Sequence, residues 1–485
     1  MVVEAWLARA ACSRPQQIAL DTPAGCCSYA ELLERAGSVA SALQRRGVKA
    51  GDRVAIALPA GLDFAYTLHA CLLLGAVAVP VDLRMSASEQ ARIAGSAIVS
   101  IDEPVDVDSE SLLADDEPRD VDDESLNADD EPLDVGSERA EGSIGVGHDL
   151  DATAVVIHTS GTSSAPKPIE LTYGNLLWSA LGSAVALGVD PHERWLCALP
   201  LSHVGGLSIL VRSAIYGTTA VIHERFETER VLHALREQGI TLVSLVATTL
   251  TRLLDAGLDH PAALRCALTG GGPVPVALVE RATKAGVPVS MTYGLTESCS
   301  QVTTAPVAAL DEGDFAAGPA LFCTRVRCAE DGEILVSGPT VAPGALAADG
   351  WLHTGDLGAL DQHLRLTVTG RKADTIVSGG ENVAPSEVEA VLEAHPDVLE
   401  AAVVGRPDEV WGEAVTAIVV LRGAGEALRR GGSSLRVKCS APADEAALRA
   451  HCAASLAPYK VPKQVVLRAD ALPRTRSGKL LRREL

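Results

Sequence analysis

A run of small residues in front of a lysine is the first feature of this 485-residue chain that could do chemistry. Thr159, Ser160, Gly161, Thr162 and Ser163, continued by Ser164, follow the apolar stretch 154–157, and Lys167 stands between two prolines. Backbone N–H groups in such a loop, unobstructed by side-chain bulk, can converge on phosphate oxygens. The hydroxyls add donors and Lys167 adds charge. The pattern is not a Walker loop, because GxxxxGK[ST] does not match.

Further clusters suit the same ligand. Gly270, Gly271 and Gly272 follow the strand-like "CALT", and "MTYGLTESCS" carries Tyr293, Gly294, Thr296 and Glu297. The glycines let a flat ring approach, Tyr293 can stack on it, and Glu297 is a hard oxygen ligand for Mg²⁺. Asp356 in "GWLHTGDLGAL" can accept from a ribose diol, and Arg371 in "VTGRKAD" can donate to it. Lys479 lies in the terminal "RTRSGK". Separately, His203 precedes a glycine pair, and Arg212 sits among Leu207, Leu210, Val211 and Ile215 in a helical pattern. An arginine there must snorkel, pair with a protein carboxylate or receive a second carboxylate from a substrate, for which its planar fork is suited.

These residues need a scaffold, and the pattern supplies one. "DRVAIALP", "AVAVPVD", "TLVSLVATTL", "RCALTGGG" and "VPVSMTYG" read as strands or begin as strands. "DFAYTLHACLLLG" and "VPVALVERATKAG" have helical spacing, and a helix is expected after Asn175. Such alternation predicts an α/β architecture with mostly parallel sheets, in which ligands bind at strand C-termini. Near residue 370 the texture changes to a compact α+β stretch. A large N-terminal domain of several subdomains over 1–370 and a small C-terminal domain over 371–485 are therefore expected.

Composition excludes several classes. The apolar fraction of 47% supports a large core, yet no apolar run approaches the ~20 residues that cross a bilayer. The N-terminus lacks a signal pattern, so a soluble cytoplasmic protein is expected. Eleven cysteines are scattered without a CxxC pair, which argues for idle thiols in a reducing compartment. Residues 101–142 hold 18 Asp or Glu against two Arg, so most of the net charge of −22 sits in this one insert. It repeats at a period of 14 ("EPVDVDSESLLADD", "EPRDVDDESLNADD") and is read as a disordered, solvated loop. A calcium loop on Asp106, Asp108, Glu110 and Glu117 fails because Ser111 stands where the turn needs glycine. Nothing suggests a nucleic-acid face.

Together the TSGT–PK loop, the YGLTE block, "HTGDLG…GR" and "RTRSGK" resemble the AMP-forming, acyl-activating superfamily of adenylating enzymes. The resemblance covers almost the whole chain outside the insert. It implies that the 371–485 domain is mobile and swings between two half-reactions. It implies ATP, Mg²⁺ and coenzyme A, and a carboxylic acid as the substrate. It carries Thr159 to Ser163 and Lys167 over to the phosphate loop. Gly271, Gly272 and Tyr293 match the adenine pocket, Gly294 belongs with the ATP-binding residues, Thr296 and Glu297 match the phosphate and metal contacts, and Asp356 and Arg371 the ribose contacts. Lys479 matches the adenylation lysine, and His203 the histidine at the mouth of the acyl pocket.

The "ALPLSHVGGLSILVRSAIYGTTAV" stretch is similar to the o-succinylbenzoate–CoA ligases of menaquinone and phylloquinone synthesis, whose acid is a dicarboxylate. That likeness implies that Arg212 receives the aromatic carboxylate. An aryl- or fatty-acyl–CoA ligase, or a non-catalytic nucleotide-binding relative, is the alternative, and self-association is left open. Ser164, Pro168 and Ala373 depart from the common pattern; the first two stiffen the loop, and Ala373 stands at the hinge position.

Overall fold

The computed structural model describes residues 1–105, 147–159, 166–307, 315–422, 443–474 and 480–485. The repeat insert from 106 onward lies outside them.

Six parallel strands form the middle of an eight-stranded sheet, in the order Val289–Leu295, Cys266–Thr269, Leu242–Leu245, Arg194–Cys197, Thr219–Ile222 and Ile18–Thr22. Antiparallel strands Ser300–Thr304 and Gly25–Ser28 close its two edges. Its middle strands Cys266–Thr269, Leu242–Leu245 and Thr219–Ile222 are buried along their whole length, which is why they read as continuous apolar runs without alternation.

A five-stranded sheet runs Val99–Ile101, Arg53–Ile56, Val77–Pro80, Thr153–Thr159 and Lys167–Thr172. Its first four strands are parallel and the last is antiparallel. Here the structure corrects the sequence reading. Strands Thr153–Thr159 and Lys167–Thr172 pair antiparallel, with Thr159 opposite Lys167, and the helix follows the second of them. The helix starts earlier than expected, at Tyr173, because Thr172 caps it. Thr172 Oγ1 accepts from the Asn175 amide at 3.0 Å while Asn175 Oδ1 accepts from the Thr172 amide at 2.9 Å.

Helices Tyr173–Leu187 and Val204–Tyr216 pack together, and the apolar core around them also holds Trp195, Tyr173 and Leu207. A four-stranded antiparallel sheet follows: Arg325–Cys328, Glu333–Ser337, Leu352–Leu360 and Leu366–Arg371. The chain leaves it through the short turn Lys372–Asp374 and enters a last sheet. That sheet carries Ile376–Ser378, Glu381–Val383, Val398–Asp408, Gly412–Leu421 and Gln464–Arg468, covered by helices Pro385–Glu393 and Glu445–Ser455 around their own core.

Candidate active site

Tyr293 lies within the strand expected from "VPVSMTYG". The strand runs on to Leu295 and pairs with Ser300–Thr304, with its register shifted between Tyr293 and Gly294. The shift has a steric cause, since a Cβ on Gly294 would lie 1.8 Å from the Ser300 carbonyl oxygen. Of the glycine triplet, Gly270 is needed for packing, because its Cβ would lie 2.5 Å from the Thr292 carbonyl oxygen. Gly271 has φ +78, a conformation that favours glycine, and Gly272 faces open space.

The strand aims Tyr293 at Asp356. Tyr293 Oη donates to Asp356 Oδ2 at 2.8 Å, and Arg371 Nε lies 2.8 Å from Asp356 Oδ1. Asp356 and Arg371 are cross-strand partners in the four-stranded sheet, so one ladder sets both. Asp356 is buried and Arg371 is half exposed. Thr354 Oγ1 accepts from the Asp356 amide, which the sequence reading did not foresee. Burial, together with the carboxylate of Asp356, pushes the Tyr293 hydroxyl well above its ordinary pKa, so Tyr293 is a donor here and not a phenolate.

The phosphate-loop candidates stand beside this cluster. Lys167 is exposed at the start of its strand, and Thr159 Oγ1 donates to its carbonyl at 3.4 Å. The Lys167–Thr172 strand packs against the Thr296–Ser298 turn and against the turn Pro343–Ala345. Asn175 Nδ2 ties this region together by donating to the carbonyls of Pro339 at 2.8 Å and Val341 at 3.0 Å. The Ala342 amide in turn donates to the Glu297 carbonyl at 2.8 Å. Thr159, Lys167, Tyr293, Thr296, Glu297, Asp356 and Arg371 are thus gathered through contiguous elements. Ser160, Gly161, Thr162, Ser163 and Lys479 lie outside the described residues.

Among the described residues no partner reaches the Glu297 carboxylate, and no group of three His, Cys, Asp or Glu is placed to hold a metal. One free hard oxygen ligand fits Mg²⁺, which usually takes one or two carboxylates and completes its shell with water and substrate phosphates.

His203 stands at the head of the helix that carries Arg212, and the two differ in setting. His203 is the residue preceding Val204–Tyr216, and its ring is one-third exposed at 34%. Its Nε2 meets Arg84 Nη2 at 2.9 Å and lies 3.5 Å from Asp82 Oδ2. Arg84 in turn donates from Nε to Asp82 Oδ1 at 2.8 Å and from Nη2 to Asp82 Oδ2 at 2.6 Å. Loss of solvent lowers the imidazole pKa, Arg84 lowers it further, and Asp82 opposes them. Asp82 and Arg84 were missed in the sequence. Their signal was "VPVDLR", a charged pair at the C-terminal end of a buried parallel strand, where ligands collect.

Arg212 does not snorkel, being 2% exposed. Its Nη2 donates to Ser179 Oγ at 3.0 Å, Ser179 Oγ donates to the Cys299 carbonyl at 2.6 Å, and the guanidinium lies 5.7 Å from the Trp195 ring centre. Among the described residues it has no carboxylate partner, and its Nε has no acceptor. Burial lowers its pKa. The protein-carboxylate reading of Arg212 therefore finds no support among the described residues.

A parallel α/β body with the Tyr293–Asp356–Arg371 cluster beyond its strands, joined by a short turn to a small α+β unit, fits the class of the adenylate-forming enzymes. Comparison with known proteins gives the family. Residues 7–346 match the model of the AMP-binding enzyme family, and residues 387–479 match that of the AMP-binding enzyme C-terminal domain. The chain belongs to the AMP-binding enzyme family. It is 37% identical, over 99% of its length and 97% of the relative's, to the 2-succinylbenzoate–CoA ligase of Bacillus subtilis. The enzyme of that name from Geobacillus kaustophilus is also 37% identical, over 99% of this chain and 96% of its own. The solved o-succinylbenzoate CoA synthetase of Bacillus subtilis bound to its acyl-adenylate intermediate superposes with a TM-score of 0.82 at 35% identity, covering 100% of this chain and 98% of that one. The same enzyme with ATP and magnesium superposes at 0.80 and 34% identity, covering 100% of both chains.

Proposed function

We propose that this protein is a 2-succinylbenzoate–CoA ligase acting in menaquinone synthesis in the cytoplasm. The observation that carries the reading is its full-length likeness to ligases of that name. A buried arginine with no carboxylate partner among the described residues agrees with a dicarboxylic acid. No helix among the described residues is long and apolar enough to cross a membrane.

In the first half-reaction a carboxylate oxygen of the acid attacks the α-phosphorus of ATP, and pyrophosphate leaves as the acyl-adenylate forms. In the second, the sulfur of coenzyme A attacks the acyl carbonyl, the thioester forms, and AMP departs with the bond electrons. The first step crowds negative charge at phosphorus, so positioning and electrostatic stabilisation do most of the catalysis. Asp356 takes the ribose hydroxyls, and Arg371 neutralises Asp356 and donates beside it. Gly271, Gly272 and Tyr293 wall the adenine, with Gly294 beside them in the ATP site. Thr159 to Ser163, Lys167 and Thr296 hold the departing phosphates, and Glu297 is the metal ligand. Magnesium, when bound there, neutralises phosphate charge. Lys479, from the 371–485 domain, bridges acyl and phosphate oxygens during adenylation, and Arg212 receives the second carboxylate.

Purified protein with ATP, Mg²⁺ and coenzyme A is offered a panel of acids. Pyrophosphate and AMP are expected with 2-succinylbenzoate and not with benzoate or a medium-chain fatty acid. Turnover of a monocarboxylate in preference to the dicarboxylate sinks the proposal.

A further inference from the structure

Arginine carries only donors, five N–H groups and no acceptor. Its contact with His203 Nε2 at 2.9 Å therefore requires that nitrogen to be bare. A bare Nε2 leaves the ring proton on Nδ1, and an imidazole with one proton is neutral. Asp82 makes the arrangement stable. It accepts from the Arg84 backbone amide at 3.0 Å as well as from Nε and Nη2, which fixes the guanidinium beside the ring. Without Arg84 the same carboxylate, 3.5 Å from Nε2, would accept a hydrogen bond from a protonated Nε2 and select the opposite tautomer.

We infer that Arg84, braced by Asp82, is a positioning residue that fixes His203 as the neutral Nδ1–H tautomer, so that its imidazole donates a hydrogen bond to an oxygen of the acid. Among the described residues no partner reaches Nδ1, and the ring is partly open to solvent at the head of its helix. His203 is thus a donor. It is not a general base through Nε2, which is already occupied by a cation's N–H. Asp82 and Arg84 are the only charged groups whose influence reaches the ring among the described residues, and they act in opposite directions. The placement of His203 at the acid rests on the function proposed above; the tautomer does not.

The test uses the full chain labelled with ¹⁵N-histidine. The chain has 12 histidines, so the His203 resonances are assigned by their loss in His203→Gln. At pH 7.5 the wild-type ring is expected to show a protonated Nδ1 and a bare Nε2. Arg84→Ala is expected to move the proton to Nε2 and to raise the ring pKa, because Asp82 is then no longer offset by a neighbouring cation. In parallel it should raise KM for the acid about ten-fold, the cost of one lost hydrogen bond to a charged group, and leave KM for ATP unchanged. Arg84→Lys keeps a donor and should restore the Nδ1–H form in part. Arg84 is one-third exposed, and ATP binding reports whether each variant is folded. A wild-type ring that is cationic or protonated on Nε2, or a tautomer that ignores Arg84→Ala, overturns the inference. A shifted tautomer with an unmoved acid KM overturns the placement of Nδ1 at the acid. Failure of the protein to activate 2-succinylbenzoate at all leaves the spectrum intact and counts against the proposed function alone.

Discussion

The nucleotide end and the acid end of this molecule handle charge in opposite ways. At the nucleotide end, Asp356 is buried but already paired: Tyr293 donates to one carboxylate oxygen and its cross-strand partner Arg371 lies against the other, which leaves lone pairs for a ligand. At the acid end, Arg212 is buried and underemployed, with one neutral hydroxyl for a partner and an Nε that has no acceptor among the described residues. A buried ion with its counter-ion is tolerable, whereas one without it is costly and is rarely kept for stability. Preorganisation therefore explains the first site, and an expected ligand best explains the second. His203 falls between them. It is nine residues from Arg212 at the head of the same helix, about 13 Å along the axis at 1.5 Å per residue, and its charge state is managed by two neighbours.

The contrast can be broken most directly at Asp356. Asp356→Ala strands Arg371 and Tyr293; breaking a buried pair costs about 3–5 kcal/mol, reduced here to about 2–3 because Arg371 is half exposed. Adenylation, measured as pyrophosphate release at limiting ATP, should fall roughly 30- to 150-fold, with KM for the acid little changed. A variant within threefold of wild type would show that the cluster is not part of the ATP site.

Next comes Arg212→Met, which keeps the volume and removes the charge. A lost charge-assisted hydrogen bond of about 1.5–3 kcal/mol should raise KM for the dicarboxylate roughly 10- to 150-fold. Stability should hold or rise, since an unpaired buried cation has been replaced by an apolar chain. Reduced Tm with an unmoved KM would turn Arg212 into a core residue like any other.

A third comparison sets both sites against titratable groups that serve only packing. His69 and His148 are buried, and loss of solvent lowers both pKa values to about 4, from an ordinary 6.5. The unfolded chain takes up protons first, so stability is complete above pH 6.5 and erodes as pH falls toward 4. Each histidine should cost about 2 kcal/mol between pH 7 and pH 5, read from urea midpoints at the two values. Loss of stability confined to pH below 4 would mean that neither is held neutral by burial.

The smallest effect is expected from Tyr293→Phe. It deletes one hydrogen bond to Asp356 while Arg371 remains, a change of about 1 kcal/mol. KM for ATP should rise about fivefold, with the dicarboxylate KM unaffected. An effect as large as that of Asp356→Ala would mean that the ring, and not its hydroxyl, supports the cluster.

How much of this could be read without coordinates differs by element. Strands such as Cys266–Thr269 and Leu242–Leu245 were legible because burial on both faces leaves continuous apolar runs. The helix start at Tyr173 was not, because the capping exchange between Thr172 and Asn175 depends on a strand that two prolines obscured. Gly270 and Gly294 stood out as chemistry-bearing glycines, yet each is also required by a neighbouring strand at contact distance. That second requirement exists only once strands are paired.

By itself the amino-acid sequence determined which chemical groups are present and how locally they are presented: small residues ahead of a lysine, glycines after strands, one arginine in an apolar helix. Those are properties of nearest neighbours and of periodicity, so they survive without a fold. Tertiary structure alone decided which groups meet. Tyr293 reaches Asp356 across 63 residues and Arg84 reaches His203 across 119, and partners so far apart along the chain are chosen by sheet order and register. It also decided which way each group's pKa moves, because whether His203 or Arg212 sits in water or away from it is a fact about packing that no local pattern contains.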